Sequence, residues 1–313
     1  MNLTSSISSI VSHTNSTETE SWFIPVDILM IICTILVIIL ATLFVLVIIF
    51  DKTCHTISMM LISNSCLTAI VLGCISFSLS LFTLENDIKQ IYYEDSFCAF
   101  RAYMNYALSA AFMFSFSLQA FYRYIVIVYR THLFLQSIKF QVFLISLTWI
   151  FSFTYPLVII FTDRIIYNID NQICQLPLRL SFSLIFGAFC IYIIPVSMTM
   201  FIYIKLILYV KELRHHMIIV NTLSRAQREL KMVQRIVTLI NIIMTIGIPH
   251  GIFIFISFFT TPPKYHFRIA FVFVDASLLS VMIVLLQFTD PLKKSIMKRL
   301  SIRPNAIAPG RPY

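Results

Sequence analysis

Residues 28–50 form a run of 23 positions without a single charge. A helix of that length crosses a hydrocarbon core of about 30 Å. Comparable apolar stretches recur at about 56–82, 99–128, 138–161, 180–210, 236–260 and 268–288. Polar and apolar residues do not alternate with a period of two, so the spans are read as helices and a membrane β-barrel is disfavoured. Seven spans with short connections predict one all-α membrane bundle over 23–289. The connection 81–97 is acidic (Glu85, Asp87, Glu94, Asp95), and 162–179 carries Cys174. The connection 211–233 is basic and helix-compatible, so helices five and six are expected to run beyond the bilayer. Past Phe288, Pro291 suits the first turn of a helix capped by Thr289 or Asp290. Leu292, Ile296 and Leu300 then form one stripe, opposite Lys293, Lys294, Lys298 and Arg299. This predicts a short amphipathic eighth helix over 290–302 on the inner leaflet, followed by a tail, 303–313. Residues 1–22 read as a polar outer tail. They lack the basic start and apolar centre of a cleaved signal.

Composition agrees. Charged residues make up 12% of the chain and hydrophobic residues 59%, whereas a soluble domain carries about 25% charged residues. The solvent for most of this surface is lipid. The sign of the charges sets orientation. With the N-terminus outside, 17 of the 23 basic residues fall on the inner side, but only Asp51, Glu212, Glu229 and Asp290 of the 14 acids do. The excess of inner positive charge predicts a multi-pass plasma-membrane protein with its N-terminus extracellular and its C-terminus cytoplasmic. The net charge of +9 belongs to that face, and no nucleic-acid partner is expected. Two glycosylation sequons, at Asn2 and Asn15, suit an outer tail. Of seven cysteines, only Cys98 and Cys174 lie near the outer, oxidising side. That compartment allows them to pair; the alternative is two unrelated thiols.

No nucleophile–base pair, metal-ligand spacing or glycine-rich phosphate loop is present, so neither an enzyme, a cofactor nor a metal site is expected. Two charges stand out. Arg123 lies in FYRYIVIVYR, an apolar run with no acid nearby, and an unpaired charge there is costly. It is either a switch or a helix-end residue snorkelling to water. Asp275 lies 13 residues before Phe288, about 20 Å along a helix, in the outer third of the membrane. A carboxylate there is a functional-site candidate. It either contacts a cationic ligand group, together with Asn105 and Tyr106 at similar depth, or is a structural acid paired with Asn105 or Arg101.

The 25 residues from Cys98 to Arg123 span about 37 Å as a helix. A cysteine at one mouth and an arginine followed by Tyr124 at the other resemble helix 3 of rhodopsin-like (class A) G protein-coupled receptors. Further marks of that family follow in order: Trp149 in span 4, Pro195 and Tyr203 in span 5, Glu229 and Pro249 toward span 6, and Thr289-Asp-Pro291 before the eighth helix. The resemblance covers about 25–302. It implies a Cys98–Cys174 bridge, helix kinks at Pro195 and Pro249, and an extracellular ligand bound among helices 3, 5, 6 and 7. It also implies that Arg123 exchanges Glu229 for Tyr203 when a heterotrimeric G protein engages. The pair is expected near water and worth about 0–1 kcal/mol, loosened by Arg228 and Lys231.

The chain departs from the family at several positions. Tyr122 replaces the acid before the arginine, Ala69 the sodium-binding aspartate, and Gly247 the span-6 tryptophan. Met282–Leu286 replaces the Asn-Pro-x-x-Tyr motif. Most of the usual polar relay is therefore expected to be missing. Span 7 has no lysine for retinal, and Asn105 stands where amine receptors have an aspartate. The expected function is a receptor for a small molecule or short peptide. The alternatives are a non-signalling seven-helix binding or scaffold protein and, further off, a transporter, for which internal repeats are lacking. His250 is expected to bond between helices rather than meet a ligand.

Overall fold

The computed structural model describes residues 23–89, 95–129, 131–162, 165–178, 181–215, 220–261 and 263–288. Asn2, Asn15 and the expected eighth helix lie outside the described residues. The first four helices are α1 (Phe23–Phe50), α2 (Ile57–Lys89), α3 (Cys98–Val128) and α4 (Ile138–Thr162). An antiparallel hairpin follows, β1 (Ile166–Asn168) and β2 (Ile173–Gln175). Span five is built from α5 (Phe182–Ala188), a π turn (Phe189–Ile193) and α6 (Ile194–His215). Span six is α7 (Val220–Ile246) and α8 (Ile248–Ser257), and span seven is α9 (His266–Phe288). Among the described residues, six helices are long and apolar enough to cross a membrane, and the bent pair α7–α8, counted as one span, makes seven. The protein is a multi-pass membrane protein folded as a seven-helix bundle.

Burial ranks the helices. Of its most apolar window, α3 buries 67% and α4 only 22%. Accordingly α3 packs against α2, α4, α6 and α7, and α4 faces lipid with most of its length. The centre of α3 is rich in alanine and serine, Ala107, Ala110, Ala111, Ser115, Ser117 and Ala120, all buried. Small residues let backbones approach where lipid supplies no hydrophobic driving force.

Two prolines reshape spans five and six. Pro195 has no N–H to give the carbonyl four residues back, and its ring crowds that turn. The backbone widens just before it, and the Ile194 N–H reaches back five residues to the Phe189 carbonyl. Pro249 sits in the first turn of α8, where a missing N–H is tolerated. The axis bends there by 48°. Gly247 occupies the break, and a Cβ on it would lie 2.9 Å from the Ile243 carbonyl oxygen.

Several boundaries differ from the sequence pattern. Helix α2 continues to Lys89, so Glu85 and Asp87 are helical rather than part of an acidic linker. Helix α1 begins at Phe23 and includes Asp27, which is fully buried. Charge marks a span end only when the charge is solvated, and these two aspartates, Asp27 and Asp87, are paired inside the bundle. The connection after α4 holds the hairpin, with Tyr167 opposite Cys174. Its turn is closed by the Asn168 side chain accepting the Asn171 N–H at 3.0 Å, with Gln172 at φ 55°. Strands of three residues are too short to leave a period-two signal.

Candidate functional site

The hairpin lies over one end of the bundle and is held there twice. Cys174 on β2 is bridged to Cys98 at the start of α3, with Cα atoms 5.4 Å apart. Losing such a bridge costs about 2–4 kcal/mol. Unreduced peptide mass spectrometry is expected to recover the Cys98–Cys174 cross-link, and Cys174→Ser to lower surface expression and thermal stability. Two free thiols in protein at the cell surface would contradict the bridge.

The second tether is ionic. Arg268, near the start of α9, is 2% exposed. Its guanidinium grips Asp87 of α2 with two nitrogens; Nη2 donates to Oδ1 at 2.9 Å. Nη1 also lies 3.6 Å from Asp27 of α1, and the guanidinium stacks over the Phe23 ring at 4.3 Å. From the hairpin turn, Gln172 donates to Asp87 at 2.6 Å, and the Asn171 side chain accepts the Arg268 backbone N–H at 3.2 Å. Arg268 and Asp87 thus tie α1, α2, α9 and the hairpin. Nothing in the sequence marks these residues as partners, because they come from four separate segments.

Beneath the hairpin lies a cavity partly open to solvent. Asn105, Tyr106, Gln175, Tyr192, His250 and Phe271 are among its walls. The Tyr106 hydroxyl donates to the Gln175 side chain at 2.6 Å, and the Tyr155 hydroxyl to the Tyr106 carbonyl at 2.7 Å. Asn105 accepts from Ser109 at 3.3 Å. Gln175 and His250 are wall residues that sequence reasoning missed. Gln175 was legible only as the neighbour of Cys174. His250 lines the cavity with its Nδ1 lacking a hydrogen-bond partner, which corrects its reading as a helix–helix bonder.

Asp275 does not join that wall. It lines a second, much smaller cavity between α1, α2 and α9, with Ser76, Ser80, Thr83, Phe271 and Arg268. The grouping of Asp275 with Asn105 and Tyr106 is corrected: Val274 faces the large cavity, and Asp275, the next residue, faces the small one. Nor does Asp275 pair with Arg101, which lies 3.0 Å from Asp95 and over the Phe82 ring.

Below the cavities, α3 carries a polar ladder where the family relay was expected to be missing. Gln119 donates to Ser65 at 2.7 Å, and Ser65 to Ser115 at 2.7 Å. Ser117 donates to the Pro195 carbonyl at 2.9 Å and lies 3.1 Å from the Thr199 hydroxyl. The Trp149 indole N–H donates to Asn64 at 2.9 Å, joining α4 to α2.

One turn past Gln119, Arg123 Nη1 lies 2.9 Å from Oε2 of Glu229 on α7. The two side chains are only 15% and 5% exposed, so the expectation of a water-exposed, loose pair is corrected. Removing one partner of a buried pair costs about 3–5 kcal/mol, because the other charge is stranded. Arg228, itself exposed, lies 3.6 Å from the other carboxylate oxygen and adds to the pair rather than displacing Arg123. Tyr203 is half-buried on α6, packed against the core. Tyr124 meets Tyr129 edge-on at 6.0 Å.

No protein-family model and no curated protein sequence matches the chain. Among solved structures, it is similar to the crystal structure of squid rhodopsin, with a TM-score of 0.73 and 13% identity over 90% of this chain and 85% of that one. At that identity the likeness shows the fold: the bundle is rhodopsin-like in architecture.

Proposed function

We propose that the protein is a plasma-membrane receptor that binds an extracellular small molecule or short peptide and signals through a heterotrimeric G protein. The N-terminus is extracellular, with Asn2 and Asn15 as glycan acceptors, and the C-terminus is cytoplasmic. The carrying observation is the buried Arg123–Glu229 pair. It joins α3 to α7 at the end of the bundle opposite the Cys98–Cys174 bridge and the large cavity. An ion pair between two separate helices has two arrangements, closed and open. A ligand that binds the open arrangement better shifts the population toward it. The α3 ladder and the Pro249 bend lie between cavity and pair, and they are the elements through which the shift travels.

The test is nucleotide exchange on purified G proteins in membranes expressing the chain, compared with Arg123→Ala. Exchange above the variant supports the receptor. The absence of Asn-Pro-x-x-Tyr from α9 favours a second reading, a non-signalling seven-helix binding protein. Flat exchange from both wild-type protein and Glu229→Gln, each present at the cell surface, would select it.

A further inference from the structure

The small cavity between α1, α2 and α9 has no role in the reading above. Its floor is Asp275, 1% exposed, whose Oδ1 has no hydrogen-bond partner. Its wall carries the hydroxyls of Ser76, Ser80 and Thr83. The Thr83 hydroxyl bonds its own helix, to the Ser80 and Leu79 carbonyls. Ser76 and Asp275 line the cavity together. Among the described residues, the one cation lining the cavity is Arg268. It sits two helical turns away, about 10 Å along α9, and is engaged by Asp87 and Asp27. A buried carboxylate facing a cavity without a cationic partner is costly as it stands. A positive group brought in from outside would relieve that cost.

The two cavities share a wall residue. Phe271, one turn before Asp275 on α9, lines both. It is only half-buried, and rotation of its ring is the local motion that would join them. Among the described residues, the walls of the large cavity carry no acid and no lysine or arginine, but they are aromatic, with Tyr106, Tyr192, Phe267 and Phe271. We propose that the joined cavities hold a ligand with a single ammonium head on an aromatic or apolar stem, the stem in the large cavity and the ammonium past Phe271 on Asp275. The Ser76 and Ser80 oxygens accept the remaining ammonium hydrogens. The geometry argues against an anionic ligand, because the small cavity would present it with a carboxylate.

This inference rests on the large cavity being the ligand chamber and does not require G-protein coupling. It is tested on the full chain purified in detergent, with two probes of equal length that differ only in the head, 2-phenylethylammonium and 2-phenylethanol. Affinity is read from the concentration dependence of the thermal midpoint. The ammonium probe is expected to stabilise wild-type protein well beyond the alcohol. Asp275→Asn is expected to abolish that preference, lowering ammonium affinity roughly ten- to a hundredfold, as for loss of a charged hydrogen bond. Phe271→Ala, which opens the shared wall and spares the carboxylate, is expected to raise ammonium affinity and keep the preference. This second variant decides the matter if Asp275→Asn does not fold. Equal response to the two probes in wild-type protein overturns the proposal, as does a preference that survives Asp275→Asn or is lost in Phe271→Ala. Asp275-dependent stabilisation by sodium chloride over choline chloride, without a response to the ammonium probe, also overturns it, assigning the cavity to an inorganic ion. None of these outcomes bears on nucleotide exchange, so the receptor reading stands or falls separately.

Discussion

Arg268→Met is expected to destabilise the protein more than any other single substitution at its disulfide end. The side chain is 2% exposed and stands against two carboxylates, with Asp27 fully buried. Removing it strands both acids in a low-dielectric interior, a loss of about 3–5 kcal/mol. The stacking over Phe23 is lost as well. The expected observation is a large fall in thermal midpoint in detergent and little protein at the cell surface. The triple variant Asp27→Asn, Asp87→Asn, Arg268→Met is expected to recover most of the loss. It removes the charges together, and the amide introduced at position 87 still offers a carbonyl oxygen to the Gln172 side chain. Well-packed neutral replacements of buried ion clusters are often neutral or stabilising. A triple variant as unstable as the single one would show that packing, rather than stranded charge, sets the penalty.

Glu229→Gln is the largest expected functional effect. The wild-type pair is buried, so the closed arrangement is well held and basal nucleotide exchange is expected to be low. The substitution keeps the shape of the side chain and removes its charge. Weakening a charge-assisted hydrogen bond by about 1.5–3 kcal/mol shifts the closed–open balance roughly ten- to a hundredfold. Basal exchange is expected to rise accordingly until the open state dominates. Tyr203→Phe is expected to lower exchange, because the Tyr203 hydroxyl is the proposed partner of Arg123 once α7 has moved away. Arg123→Ala is expected to be silent. If Glu229→Gln and Tyr203→Phe both match wild type, and Arg123→Ala does too, Arg123 is a helix-end residue without a switching role.

The bundle was legible from residue order alone wherever one helix supplied the whole signal. Each span is apolar over its own length, and lipid burial depends on composition rather than on partners. Cys98 and Arg123 could be placed at opposite mouths of α3 because helix rise per residue is constant. Pro195 and Pro249 could be marked as disturbances because the missing N–H is a property of the residue itself. What form each disturbance takes, a π turn at one and a 48° bend at the other, depends on how neighbouring backbone carbonyls are satisfied.

Charges were where sequence reading failed. Asp27 and Asp87 read as span ends because an isolated aspartate belongs in water. Only the fold brings Arg268 to them, from 181 residues along the chain in the case of Asp87, and with it the hairpin that covers the cavity. Asp275 and Val274 are adjacent in sequence, yet helical rotation of about 100° per residue sends them into different cavities. The Arg123–Glu229 partnership could be anticipated from position, but its strength could not, because exposure is set by the helices packed around it. The sequence by itself determined the spans, their number and which residues are unusual for a membrane interior. The tertiary structure alone decided which of those residues neutralise one another and which, like Asp275, face a cavity unpaired, because electrostatic pairing depends on distance through space and on the solvent excluded between the groups.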